Sequence, residues 1–249
     1  MIANRAFWAC LALALLTPGG RGEDFAQVEK EIMAKYKKIA SMKARTVTQT
    51  EMDTGEGKTR SKIEATYEYV RKDDKVYMRT ESKEHSETET EGKVEKSDSQ
   101  SIMIADGESM YTHTLGEPTA MKGASSMNID INPFDYMRAM YDLTLKPDEK
   151  FEGHDCWVIS AKPKPGEAAQ YMSTMVYLYR KDCGIPVRME TLDSKGTRQS
   201  LTTYHDLELN AKIDPDRFVF KAPDGVRVMD IAQLQAEAMA EQEADDDEP

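Results

Sequence analysis

Histidine is scarce in this chain, with four residues among 249. His85, His113, His154 and His205 are spaced too widely to suggest a metal site or a catalytic triad. The motifs of common chemistries are missing too: there is no Gly-x-Ser-x-Gly, His-Glu-x-x-His, glycine-rich phosphate loop or Cys-x-x-Cys. These absences point away from an enzyme, from any cofactor and from a resident metal. Basic residues are also outnumbered, 33 Lys and Arg against 45 Asp and Glu, for a net charge of −12. That balance argues against nucleic acid, because phosphate backbones are bound mainly by Lys and Arg through counterion release. It favours solubility.

Long apolar runs are lacking as well. The longest, Ala6 to Leu16, has eleven residues, whereas a membrane span takes about twenty. With Arg5 before it and Gly20 and Gly22 after it, the run reads as a secretory signal over residues 1–22, cleaved near Gly22 and delivering the remainder to the periplasm. Cys10 lies inside the apolar run behind Phe7-Trp8-Ala9, so lipidation there is not expected. At the other end, residues 231–249 form an acidic tail, with a frayed helix over 231–243 before a solvated terminus. One domain over residues 23–230 is expected between them.

Within that domain Phe25, Val28, Ile32, Tyr36, Ile39 and Met42 recur at spacings of three and four, which predicts one amphipathic helix laid on a sheet. The period then changes to two. Ile63, Ala65, Tyr67 and Tyr69 alternate with Lys62, Glu64, Thr66 and Glu68, a strand with one wet and one buried face. Residues 46–52 and 75–81 resemble it. Residues 82–101 hold five glutamates and almost no apolar group, which predicts a long exposed hairpin or loop. Asp106-Gly107 joins two strands in a tight hairpin. Asn132 caps a short helix over 133–143, with Pro133 at its first position. Strands follow at 155–162, 174–181, 187–192 and 197–209, and 217–220 and 223–228 close the sheet. The expected fold is mainly β with helices, ten or eleven antiparallel strands, and a sheet that long must curl.

The order of these pieces resembles the LolA-like periplasmic carriers of outer-membrane lipoproteins. The likeness covers roughly residues 25–230. It rests on Thr48-Gln49-Thr50 after the helix, the strand ending Tyr69-Val70-Arg71-Lys72, the Ile104-Ala105-Asp106-Gly107 hairpin with Tyr111 beyond it, Asn132-Pro133-Phe134, and the closing run from Asp214 through Phe218, Phe220, Pro223, Gly225 and Val228 to Asp230. The resemblance implies an unclosed β-barrel with a helical lid, holding the acyl chains of a lipid or lipoprotein in transit. It also implies an inner-membrane release complex and an outer-membrane acceptor as partners. The basic residue that ties sheet to lid in that family would fall at Arg71 or Lys72, although the proline expected next is Asp73 here.

A pocket under such a lid would be lined by apolar strand and helix residues. From the first strands these are Ile63, Tyr67, Tyr69 and Met78, and from the hairpin Ile102, Ile104 and Met110. The short helix gives Phe134, Met137 and Met140, and the later strands Val176, Leu178, Val187, Met189 and Leu201. Any of them could equally pack an ordinary core. Sixteen methionines suit an adaptable apolar surface. Cys156 and Cys183 could form a disulfide in an oxidising compartment, although strand pairing would set Cys156 opposite a position near 180. His154 would point the same way as Cys156 on a strand, a weak pointer to an activated thiol. A monomeric carrier is the first expectation, and a protein-binding scaffold or envelope-stress sensor on the same fold is the alternative.

Overall fold

The computed structural model describes residues 24–234, apart from 54, 56, 126–131, 167, 168 and 170. The leader expected over 1–22 and the acidic tail from residue 235 onward lie outside the described residues.

Helix α1 (Phe25–Tyr36) comes first, and six strands then run as an antiparallel meander: β1 (Ser41–Asp53), β2 (Gly57–Lys72), β3 (Lys75–Thr90), β4 (Lys93–Asp106), β5 (Ser109–Thr114) and β6 (Thr119–Ala124). Helix α2 (Pro133–Met140) opens a second meander of β7 (Tyr141–Phe151), β8 (His154–Pro163), β9 (Thr174–Arg180), β10 (Pro186–Leu192) and β11 (Arg198–Leu209). Strand β11 returns to pair with β1, and β12 (Arg227–Asp230) lies parallel beside β6. The order across the sheet is β12-β6-β5-β4-β3-β2-β1-β11-β10-β9-β8-β7, so β12 and β7 are edges and the barrel stays open. In the β7 edge, Pro147 interrupts a charged stretch where the register slips between Lys146 and Glu149, which makes the edge a poor template for another chain.

Several boundaries differ from the sequence reading. Helix α1 stops at Tyr36, and Met42 belongs to β1, because the alternation of Met42 and Ala44 along β1 prevails over the spacing of three from Ile39. Helix α2 stops at Met140, and the unforeseen β7 begins at once: Tyr141, Leu143 and Leu145 alternate with exposed Asp142, Thr144 and Lys146. Strand β6 was unforeseen too. No strand forms over 217–220: a 3-10 turn, Pro215–Phe218, ends there, with the Asp214 carboxylate accepting from Asp216 N–H at 3.1 Å, and the strand expected over 223–228 starts only at Arg227, as β12. The glutamate-rich segment is the outer half of β3 and β4, turned at Glu91-Gly92, both at positive φ. Asn132 does cap α2, its side chain accepting from Phe134 N–H at 3.0 Å.

Two apolar clusters hold the helices and sheet together. In one, Val28 and Ile32 of α1 and Phe134 and Met137 of α2 meet Trp157, Ile159, Ala161 and Tyr179 of β8 and β9. The other gathers Ile39, Met42, Tyr69, Val76, Cys156, Val158, Leu178, Cys183, Ile185 and Val187, with Tyr36, Tyr67 and Tyr204 packed at its margin.

Candidate functional site

The seam between α1 and the sheet is where the resemblance implies a cargo site. Its sheet side follows from register: Tyr67 and Tyr69 of β2 stand on one face opposite Ala44 and Met42 of β1, and Tyr69 faces Met78 of β3. Tyr67 packs edge-on against Tyr204 at 6.4 Å between ring centres. Burial pushes the Tyr67 phenol well above its ordinary range, and neighbouring tyrosines add to the shift.

Polar contacts at three places fasten α1 over this face. At its C-terminus the Arg71 guanidinium lies over the Tyr36 ring at 4.9 Å and donates to the Tyr69 hydroxyl at 3.1 Å. Burial, reinforced by the Tyr69 hydroxyl and opposed by Arg71, pushes the Tyr36 phenol up to about 12. Along its side, Lys35 donates to the Lys181 carbonyl and sits 4.7 Å from the Trp157 ring centre. Near its N-terminus Glu29, little exposed, accepts from Asn132 Nδ2 at 2.8 Å and pairs with Arg138 of α2. The turn after β9 completes the seat, because Gly184 at φ +74° leaves room for the Ile32 carbonyl.

Between Tyr36, Ile39, Met42, Tyr67, Tyr69 and Ile185 there remains a void of about 20 Å³. Only Tyr67 and Tyr69 of the predicted lining border it. Val176, Leu178 and Val187 belong to the same cluster, and Phe134 and Met137 to the cluster under α1 and α2. Met140 is half-buried at the end of α2, and Ile63, Met110 and Met189 are half-buried strand residues. Ile104 faces Arg79 and Tyr111, on the side of the sheet away from Tyr69 and Met78. Ile102 and Leu201 border charged grooves, Ile102 beside Arg79 and Lys83, and Leu201 beside Arg60 and Glu51. The lining expected from the sequence leaves out Tyr36, placed there only on the helix stripe, and Trp157, Tyr177, Tyr179 and Tyr204. On β9 both parities are apolar, so the pattern alone could not say whether 176 and 178 or 177 and 179 would face the helices.

Of the two latch candidates, Arg71 meets α1, while Lys72 is 72% exposed with Asp73 3.9 Å away. Cys156 lies opposite Arg180, the position expected, and the two cysteines are unbonded buried thiols. Burial raises both thiols, and Cys156 donates to the His154 carbonyl at 3.6 Å, while the His154 ring pairs with Asp182 at 3.7 Å. The imidazole is therefore not a base for this thiol. Among the described residues no group of acids, histidines or cysteines could hold a metal ion, and no buried side-chain polar atom lacks a partner.

The turn beside Cys183 carries a pH signature. Arg180 donates to Asp182 at 3.0 and 2.5 Å and holds its carboxyl at about 2. The folded state keeps the charge where the unfolded chain, near the ordinary value of about 3.9, takes up a proton. The stabilisation is full above about pH 4 and fades as pH falls towards 2. Because the Asp182 side chain is 54% exposed, screening keeps it to about 1 kcal/mol at most. Melting curves of Asp182→Asn should lie below those of the parent protein at pH 6 and meet them near pH 2.

The architecture is the one the resemblance implied, an open curled sheet with helices against one face. A family model described only as an uncharacterized protein matches residues 111–222, less than half of the chain. An uncharacterized conserved protein from Thermus thermophilus, 13% identical, superposes over 81% of this chain and 98% of its own with a TM-score of 0.53. The two chains share a fold. MucB is 13% identical over 79% of this chain and 62% of its own, with a TM-score of 0.49. A putative outer-membrane lipoprotein-sorting domain from Vibrio parahaemolyticus is 13% identical over 77% of this chain and 94% of its own, at 0.33. Superpositions that loose add nothing to the fold assignment. No curated protein matches the chain.

Proposed function

We propose that this chain is a non-catalytic binding protein of the bacterial envelope that shelters an acyl chain of a lipid or lipoprotein between α1 and the sheet. The observation that carries the reading is the tyrosine-lined seam, apolar within and closed by the Arg71, Tyr36 and Tyr69 clamp. A void of about 20 Å³ holds no acyl chain, so the described form is the closed one and cargo enters when α1 lifts. The driving force is ample. At about 0.8 kcal/mol per methylene, a sixteen-carbon chain left in water costs on the order of 12 kcal/mol. A donor complex at the inner membrane and an acceptor at the outer would give the transfer its direction.

The test is native mass spectrometry with organic extraction on protein purified from a bacterial periplasm without detergent. An acylated adduct at one per chain, lost in Tyr67→Lys and enriched when Arg71→Ala loosens the clamp, is the expected result. A clean mass, with no melting shift on adding acylated peptide, would overturn it. One observation favours the scaffold instead: from Ser82 to Ser101 the strands β3 and β4 are polar on both faces and bury no core. In that case deletion of the outer hairpin would abolish capture of a protein partner while leaving lipid content unchanged.

A further inference from the structure

A second cavity lies on the face of the sheet away from α1. Val70 of β2 pairs with Tyr77 of β3, both with side chains opposite in parity to Tyr69 and Met78 of the seam. Across them folds the segment that includes Ile213, Pro215, Phe218 and Val219, and these six residues, with Lys72 and Asp106 at the rim, line about 210 Å³. The segment is firmly seated. Phe218 is buried and its ring lies 6.0 Å from Tyr77, Phe220 stacks on Tyr111 at 4.9 Å, and Arg217 donates to Glu68 at 2.8 Å. These are the residues of the closing motif and, with Lys72, the features of the sequence that the α1 seam does not use.

The polar rim of this cavity is asymmetric. Lys72 and Asp106 stand in the lining. The Asp106 carboxylate is committed to its own turn, accepting from Glu108 N–H at 2.9 Å and Ser109 N–H at 2.7 Å. Nearby Lys75 is committed to Glu108 at 2.7 Å. Among the described residues Lys72 has only the distant Asp73, at 3.9 Å, and a four-carbon stem that can follow an apolar wall while its ammonium stays wet. Apolar walls that end at a weakly paired ammonium complement an amphiphile with an anionic end. The volume is far above the roughly 10–15 Å³ one water needs and below the roughly 300–1,000 Å³ of drug-sized sites, so the occupant is one short chain or the end of a longer one.

We propose that the cavity between Val70, Tyr77 and the Ile213–Val219 segment binds a single-chain carboxylate amphiphile, its chain against Phe218 and its carboxylate on Lys72. The site is separate from the α1 seam and does not depend on the reading of that seam.

Decanoate, titrated below its micelle concentration into isotopically labelled full-length protein, tests this with decanol as the neutral probe of equal chain length. The expected result is 1:1 binding that shifts the amide signals of Val70, Phe218 and Val219 and leaves Tyr36 and Tyr69 in place. An exposed ion pair contributes modestly, so Lys72→Gln should weaken decanoate about threefold to fivefold, Lys72→Arg should restore it, and decanol should ignore both. Val219→Asp, at a position 51% exposed and safe for folding, should abolish decanoate binding. Shifts confined to Tyr36 and Tyr69 would overturn the second site while supporting the seam. Equal affinities for decanoate and decanol, or for Lys72→Gln and the parent protein, would overturn the role of Lys72. No shift at any amide would overturn the cavity as a binding site.

Discussion

Replacing Phe134 by alanine should lower the unfolding free energy by about 3–5 kcal/mol, a large part of the roughly 5–15 kcal/mol of a typical domain. Phe134 has no solvent exposure. Its ring meets Phe25 edge-on at 6.0 Å and Tyr179 at 5.6 Å, so one side chain ties α1, α2 and β9 together. Truncation removes both contacts and leaves a cavity that helices held from three sides cannot close. Urea unfolding checks it: the midpoint should fall with the slope unchanged, which marks lost stability rather than an altered unfolded state. The neighbouring Tyr136→Ala, at a position 67% exposed, should stay within about 0.5 kcal/mol. Equal losses at 134 and 136 would show that α2 is not anchored through this ring.

The second large effect is expected at Gly184→Ala. Two costs combine there. A side chain at φ +74° is strained, and its Cβ would stand 2.6 Å from the Ile32 carbonyl oxygen and 3.2 Å from Lys35 Cβ, so α1 must shift. Gly153→Ala separates the two, since Gly153 has φ +82° with nothing within 4 Å of the added atom. The control should lose about 1–2 kcal/mol from backbone strain alone. Gly184→Ala should lose about 1–3 kcal/mol more from overpacking. It should also open α1 to trypsin at Lys35, Lys37 and Lys38, which the control should not. If both alanines behave alike, the turn after β9 does not seat the helix.

Much of the fold was legible because local chemistry marks it. The Asn132-Pro133 cap, the Asp106-Gly107 turn and the alternation from Ile63 to Tyr69 each act within a few residues, and each formed as read. The readings that failed had two local solutions. Tyr141 through Leu145 fits the end of a helix or the start of a strand, and pairing with β8 chose the strand. Phe218 through Phe220 alternates like a strand, but Pro215 and the Asp214 cap start a 3-10 turn that ends at Phe218, and Val219 and Phe220 join no ladder. The glutamate-rich stretch, expected as a long exposed hairpin or loop, is that hairpin: its first half continues the β2 ladder as far as Thr90, and its second half pairs back on the first.

The candidate site divides the same way. By itself the sequence determined the acidic balance, the absence of familiar catalytic motifs, the stripe of α1 and the strand order up to β5, because these depend on residue type and short-range spacing. Only the tertiary structure decided that Tyr177 and Tyr179 join the cluster under α1 and α2, while Val176 and Leu178 join the one that Tyr36 borders. It likewise chose Arg71 over Lys72 as the residue touching α1, and left Lys72 at the rim of a cavity on the other face. These choices depend on which face of a two-sided apolar strand turns inward, and that is set by bulges and by partners more than a hundred residues away, which no local period records.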